Sequence, residues 1–360
     1  ALKVPCRHET SVPSSVPQDL KRHLRQRGQD VLGAGWSWTT RLVEALAATT
    51  WRLRRYLVRR AISSLGSVAG VVVLVFVLLH LIPGDPVDNL LGEEARPQDK
   101  VELRKCMDLD QSLPVQFGRF LKSTVDGTLG YSCPDRKLTV ATRIKAALPP
   151  TIQLAVAGMV VGLVLGLPLG IAAALKVDTA WDTALTTVAL LGISMPSPWL
   201  GPMLVYIFFA VLQWLPGPGE DPGKLRGLAL PAVMLGTHLM AMLARMTRSS
   251  LLDTLSEDYI RTARAKGLPA WKVVLKHAMR NALLPVITVA GMQFGSLLAG
   301  AVVTERVFAR PGLGTLLLEA IAQRDYRVVQ GCTLVIAVMY VTVNLIVDVL
   351  YAAVDPRIRV

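Results

Sequence analysis

The sequence predicts an all-α membrane protein with six transmembrane helices, and three observations predict it. Apolar residues make up 52% of the 360, and they arrive in blocks near the roughly 20 residues that a helix needs to cross hydrocarbon. The blocks are free of charge: Ala61–Ile82 holds no Lys, Arg, Asp or Glu, where a soluble core helix would carry a polar stripe at helical spacing. The net charge of +13 lies beside the blocks. It forms no basic stripe interleaved with aromatics, which speaks against a nucleic-acid partner.

The first span is Ala61–Ile82. Arg52, Arg54, Arg55, Arg59 and Arg60 precede it, and Asp85, Asp88, Glu93 and Glu94 follow it, so the positive-inside bias places its N-terminal side in the cytoplasm. The extracytoplasmic loop after it, 83–147, is long enough to hold short helices over the external mouth. The second span, Leu148–Leu175, leads to a third, Ala184–Trp214, that is interrupted at Gly192–Trp199. There Pro196 and Pro198 remove backbone donors that hydrocarbon cannot replace. Either a water-lined path passes Ser194, Pro196 and Ser197, or the break is a packing kink.

The remaining spans are Gly227–Leu243, Leu283–Val303 and Val328–Ala353. The loop 244–282 carries Arg245, Arg248, Arg261, Arg264, Lys266, Lys272, Lys276 and Arg280 against Asp253, Glu257 and Asp258, and the tail adds Arg357 and Arg359. Both therefore belong in the cytoplasm, with the two termini. The outer connection Thr304–Arg327 is nearly balanced in charge and favours neither side. Residues 51–360 make the membrane domain. Residues 1–50, with Pro5, Pro13, Pro17 and the basic stretch Lys21–Arg27, read as a disordered extension or as a surface helix on anionic membrane lipid.

Ionisable groups inside the spans are sparse, chiefly Asp348 and His238. An ion-driven carrier usually buries acidic or His relays, at a cost of about 2.5–3.5 kcal/mol for a mid-membrane charge on insertion scales, so this class is the weaker alternative. His238 reads as a bond to a neighbouring helix, whereas Gln153, Gln293 and Asn344 are either interhelical bonds or a polar lining of a translocation path.

The cytoplasmic loop has the pattern of a docking elbow. Asp258, Tyr259, Arg261, Thr262, Ala263, Arg264, Ala265 and Lys266 lead to Gly267, Leu268 and Pro269, giving two short helices broken at 267–269. Glycine suits a helix end at positive φ, and proline starts a helix without losing a needed donor. Ala263 and Ala265 are small enough for close approach of another surface. Arg261, Arg264 and Lys266 can pair with an acidic groove.

At Tyr259-Ile-Arg-Thr-Ala-Arg-Ala-Lys-Gly-Leu268 and His277-Ala-Met-Arg-Asn-Ala-Leu-Leu-Pro285 the chain resembles the EAA loop of ABC importer permeases of the dipeptide/oligopeptide/nickel family, first-type subunit. The resemblance covers residues about 52–360 through ordered motifs. These are Arg55-Tyr-Leu-Val-Arg-Arg60, His80-Leu-Ile-Pro-Gly-Asp-Pro86, Leu109-Asp-Gln-Ser-Leu-Pro-Val-Gln116, Gly127-Thr-Leu-Gly130, Met246-Thr-Arg-Ser-Ser250, Arg310-Pro-Gly-Leu-Gly314, Arg324-Asp-Tyr326 and Asp355-Pro-Arg-Ile-Arg359. Two departures stand out: Arg261 replaces the Glu that opens the wider EAA pattern, and Arg327 stands where proline is usual.

The resemblance implies a type I importer permease whose coupling helix fits a cleft in an ATPase. Its implied partners are a second homologous permease, two ATPase subunits and an extracytoplasmic solute-binding protein, and its implied cargo is di- or oligopeptides, with nickel or another small solute as the alternative. No G-x-x-x-x-G-K-[ST] phosphate loop occurs, so ATP and Mg would bind the partner ATPases and no cofactor is expected on this chain.

Of the four cysteines, Cys106 and Cys133 share the loop on the oxidising side, where a bridge is permitted; two free thiols are the other reading. A bridge would restrain the loop by about 3 kcal/mol in the chain-entropy account. Cys332 reads as a small apolar residue of the last span, and no Cys/His cluster has metal-ligand spacing.

Overall fold

Charge-free blocks become long helices here because a backbone in hydrocarbon must satisfy its own polar groups. The computed structural model describes residues 58–77, 80–81, 86–92, 95–133, 138–221 and 223–354. The extension 1–50 with Cys6, the flanking Arg52, Arg54 and Arg55, Asp85, Glu93, Glu94 and the tail's Arg357 and Arg359 lie outside them. α1 is Val58–Val77. Three short helices follow, α2 (Pro86–Leu91), α3 (Pro97–Cys106) and α4 (Leu113–Val125), then α5 (Val140–Leu175), α6 (Ala180–Ser194), α7 (Ser197–Val211) and α8 (Leu225–Leu255). The chain continues through α9 (Asp258–Ala265), α10 (Ala270–Val307), α11 (Leu313–Ala322) and α12 (Tyr326–Val354).

Among the described residues five helices, α1, α5, α8, α10 and α12, are long and apolar enough to cross a membrane, and the pair α6–α7 makes a sixth span if its two arms count as one. The arms meet at 105°. The predicted interruption is thus a sharp bend at Met195 and Pro196, more than a kink within a straight span.

α5 and α8 form the centre, held by a stripe of glycines. Gly158, Gly162, Gly166 and Gly170 recur every fourth residue on the buried face of α5. A Cβ at Gly166 would lie 2.7 Å from the Met240 carbonyl oxygen, and one at Gly170 would collide with that of Ala244. Only hydrogen at these positions lets the two backbones approach so closely. Leu154, Leu239, Leu243, Val286, Leu297 and Ala301 pack beside the stripe and bring α10 into the same core.

Several predicted boundaries move, for one reason. α5 starts at Val140 instead of Leu148, with Thr139 Oγ1 accepting from the Thr142 N–H at 3.2 Å as its cap. α8 continues past Leu243 to Leu255, and α10 begins at Ala270, ahead of the predicted Leu283. About two thirds of the predicted loop 244–282 is therefore the continuation of α8 and α10, and α9 lies in the remainder. Hydropathy reads only the stretch that faces lipid, whereas Leu251, Val273, Val274, Ala278, Met279 and Ala282 bury against one another beyond it. At the other end, α10 carries Thr304 and Glu305 as buried residues, and α11 and the start of α12 occupy most of the rest of the predicted connection 304–327. The loop 83–147 holds α2, α3 and α4, as its length suggested. Asp348 is compensated by an ion pair with Arg60, which ties α12 to α1.

Candidate functional site

The elbow is built on a small hydrophobic core of its own. Ile260 and Ala263, on one face of α9, pack with Leu251 of α8, Ala174 of α5 and Val273, Val274 and Ala278 of α10. This corrects the expectation for Ala263, whose methyl is turned inward and offers nothing to a partner. Ala265, Thr262, Arg261, Arg264, Lys266 and Pro269 remain exposed, with Leu268 half-buried. Gly267 has φ +74° and its N–H donates to the Arg264 carbonyl at 2.9 Å, closing α9 as a left-handed terminus. A Cβ there would meet no atom within 4 Å. Pro269 is the N-cap of α10 rather than its first residue. The second limb of the elbow is thus the start of the 38-residue α10, so the expected second short helix is not separate. Asn281 Nδ2 on α10 donates to the Tyr259 hydroxyl at 2.9 Å and braces α9 from behind. Asp258 and Arg261 form an exposed pair at 3.6 Å, which screening by water makes nearly neutral for stability.

The path candidates are not gathered into one cluster. Ser194, Pro196, Ser197 and Gln153 are exposed on the single chain, and Asn344 is half-buried. The Ser194 hydroxyl donates to the Leu190 carbonyl at 3.0 Å. The Gln293 amide reaches Met242 Sδ on α8, an interhelical contact. His238 is exposed on α8 instead of turned to a neighbouring helix.

Three polar arrangements escaped sequence reasoning. Asp182 of α6 and Arg248 of α8 form a bidentate pair, with Nε to Oδ1 at 2.7 Å and Nη2 to Oδ2 at 2.6 Å. Glu305, fully buried, accepts from the Thr151 hydroxyl on α5 and from the Gly314 and Thr315 N–H groups at 2.8 and 3.2 Å, capping the N-terminus of α11. Thr151 Oγ1 in turn accepts from the Leu313 N–H at 2.8 Å. The glycines of Arg310-Pro-Gly-Leu-Gly314 leave the room this needs, since a Cβ at Gly312 would overlap the carboxylate. Arg310, also buried, donates to the Gly227 carbonyl at 3.4 Å; burial lowers its pKa below the usual guanidinium value, and the nearby Glu305 opposes this only in part.

Near the start of α12 lies the third arrangement. Around the Cys106–Cys133 bridge, which the sequence offered as a candidate and which is formed with Cα atoms 5.9 Å apart, the charged contacts are what the sequence did not signal. Arg327 pairs with Asp108 and donates to the Cys106 carbonyl, while Asp108 also pairs with Arg119. The Ser132 hydroxyl donates to the buried Asp325. The unusual arginine at 327 thus fastens the long first connection to the last span.

Comparison with known proteins agrees with this architecture. The family described as binding-protein-dependent transport system inner membrane component matches residues 166–360, and the N-terminal part of such membrane components matches residues 53–155. The glutathione transport system permease protein GsiC of Escherichia coli is 42% identical over 304 residues, 84% of this chain and 98% of the relative, and that of Salmonella paratyphi A gives the same figures. The solved inward facing MetNI methionine ABC transporter covers 59% of this chain and 96% of its own, with TM-score 0.51 and 17% identity, a likeness of fold alone. The chain therefore belongs to the binding-protein-dependent transport system inner membrane component family, as a multi-pass permease subunit of an ABC importer and not an enzyme.

Proposed function

We propose that this permease imports short peptides, working with a second homologous permease, two ATPase subunits and an extracytoplasmic solute-binding protein. The observation that carries the peptide reading is the 42% identity along 98% of a permease named for glutathione, itself a small peptide. Weakly polar candidates such as Ser194, Gln153 and Asn344 suit cargo that shares a backbone but no fixed side chain, leaving choice of solute to the binding protein.

In this reading the elbow faces the cytoplasm and docks in a cleft of an ATPase. Support comes from its exposed Arg261, Arg264 and Lys266 and from its rigid attachment to α5, α8 and α10 through Ile260 and Ala263. Closure of the ATPases on ATP would then displace α9 as a lever and alternate the path between inward-open and outward-open states.

Two measurements test this in proteoliposomes holding the complete complex. Uptake of glutathione and of peptides of graded length should exceed uptake of nickel; nickel transport with no peptide transport would overturn the cargo. Gly267→Val should leave ATP hydrolysis running while lowering uptake, because a β-branched residue is strained at φ +74° yet meets no neighbouring atom. Unchanged uptake in that variant would remove the docking role from the elbow.

A further inference from the structure

α6 is weakly embedded. Of its fifteen residues only Asp182 and Ala189 are buried, while Trp181, Val188, Leu190 and Leu191 are exposed. Asp182 is also the only charged residue in α6 and α7 together. Its carboxylate is fully engaged. Besides the two bonds from Arg248, Oδ2 accepts from the Asp178 N–H at 3.2 Å and Oδ1 from the Thr186 hydroxyl at 3.4 Å. The Asp182 N–H donates to Thr179 Oγ1, so the same residue both closes the N-terminus of α6 and grips α8.

The other end of the pair is set in the elbow's foundation. Arg248 lies on α8 one turn before Leu251, which is fully buried against Ile260 of α9. Two residues on, the Ser250 hydroxyl donates to the Ala282 carbonyl of α10 at 2.9 Å, fixing α8 to α10 at that level. A displacement of α9 therefore reaches Arg248 through packed side chains. From Arg248 to α6 it passes through two parallel charge-assisted bonds, a link that resists both rotation and sliding.

We infer that Asp182 and Arg248 are positioning residues for transport: a strut that carries movement of the elbow into the bent span α6–α7. The inference rests on the elbow being the ATPase contact. It gives the bend at Met195 and Pro196 a mechanical input, since the first arm is driven from its N-terminus while the second arm is seated separately, with Leu200 and Leu204 packed against Leu230 and Met234.

The test uses the complete complex in proteoliposomes, reading ATP hydrolysis and peptide taken up per ATP. Asp182→Asn keeps the size and the local α6 bonds but loses the ion pair, and Arg248→Lys keeps the charge with a single bond. Each is expected to lower peptide per ATP about tenfold, the worth of one hydrogen bond to a charged group, while the complex still assembles and hydrolyses ATP. Exchanging the two, Asp182→Arg with Arg248→Asp, should raise the ratio above that of either single variant, because opposite charges at the same positions restore the attraction, although the bonds that Asp182 accepts from Asp178 and Thr186 are lost. A structural role alone would change yield and leave this ratio untouched.

An unchanged ratio in an assembled Asp182→Asn complex overturns the strut. So does an exchanged pair that assembles but transports no better than the single variants. If Asp182→Asn does not assemble, Arg248→Lys decides by the same ratio. Gly267→Val, run in parallel, separates the two readings: if it uncouples and the Asp182 and Arg248 variants do not, the strut fails alone. If Gly267→Val also leaves the ratio unchanged, the elbow reading fails first.

Discussion

Replacing Glu305 separates its charge from its hydrogen bonds. Glu305→Gln can keep the whole arrangement: the amide oxygen accepts from Gly314 and Thr315, the amide nitrogen donates to Thr151 Oγ1, and the Thr151 hydroxyl turns to the Ala147 carbonyl, 3.4 Å away. Glu305→Ala leaves the buried Gly314 N–H and the half-buried Thr315 N–H unpaired, at about 1–3 kcal/mol for a buried donor. The glutamine variant should therefore assemble and melt like the parent chain, and the alanine variant should melt well below it, as read by heating the purified complex and measuring what stays monodisperse. Equal melting of the two would show that the cap of α11 contributes nothing. No sequence signal pointed to this side chain. Its partner Thr151 is 154 residues away, and Asp182 and Arg248 are 66 apart. Along the chain alone, Glu305 falls in a connection of balanced charge and Arg248 in a basic loop. Gly267 and the exposed basic residues of α9 were readable because their reasons are local: a helix end and a solvent-facing helix surface.

Among the helices, the existence of the five long apolar ones was readable and their length was not. The buried positions beyond the lipid-facing stretch, Leu251 on α8 and Val273, Val274 and Ala278 on α10, pack with Ile260 and Ala263 of α9, a contact that hydropathy cannot see. The contact between α5 and α8 was present in the sequence as Gly158, Gly162, Gly166 and Gly170, a fourfold spacing that hydropathy discards because it ignores which face a glycine occupies. That stripe predicts a sharp contrast. Gly166→Leu drives a side chain into the Met240 backbone, and such overpacking costs about 1–3 kcal/mol or more where the obstacle is main chain. Gly70→Leu on α1 meets nothing within 4 Å and adds one more apolar side chain to an exposed helix face. Thermal dissociation of the complex should fall for Gly166→Leu and hold for Gly70→Leu; parity would mean that α5 and α8 have room to part.

Taken as a whole, the molecule has two unlike ends, and they make independent statements about its orientation. One end gathers the exposed basic residues of the elbow, Arg261, Arg264 and Lys266, and the positive-inside bias favours the cytoplasmic side proposed for it. The opposite end carries the Cys106–Cys133 disulfide, which persists only in an oxidising compartment. Both arguments give the same orientation, though one concerns membrane insertion and the other redox chemistry. The disulfide end is also fastened twice over, since Arg327 and Asp108 join the segment beside Cys106 to α12, and Asp325 holds Ser132 beside Cys133. Reduction should therefore free the two thiols without releasing the segments. With a membrane-impermeant maleimide on intact cells, Cys106 and Cys133 should react only after mild reduction, and Cys332, buried in α12, only after denaturation. Transport should survive that reduction, because the charged contacts keep the first connection against the last span. Reaction without reductant would show that the bridge is absent in the cell, and reaction that needs permeabilised cells would place this end, and with it the elbow, on the opposite sides of the membrane from those proposed.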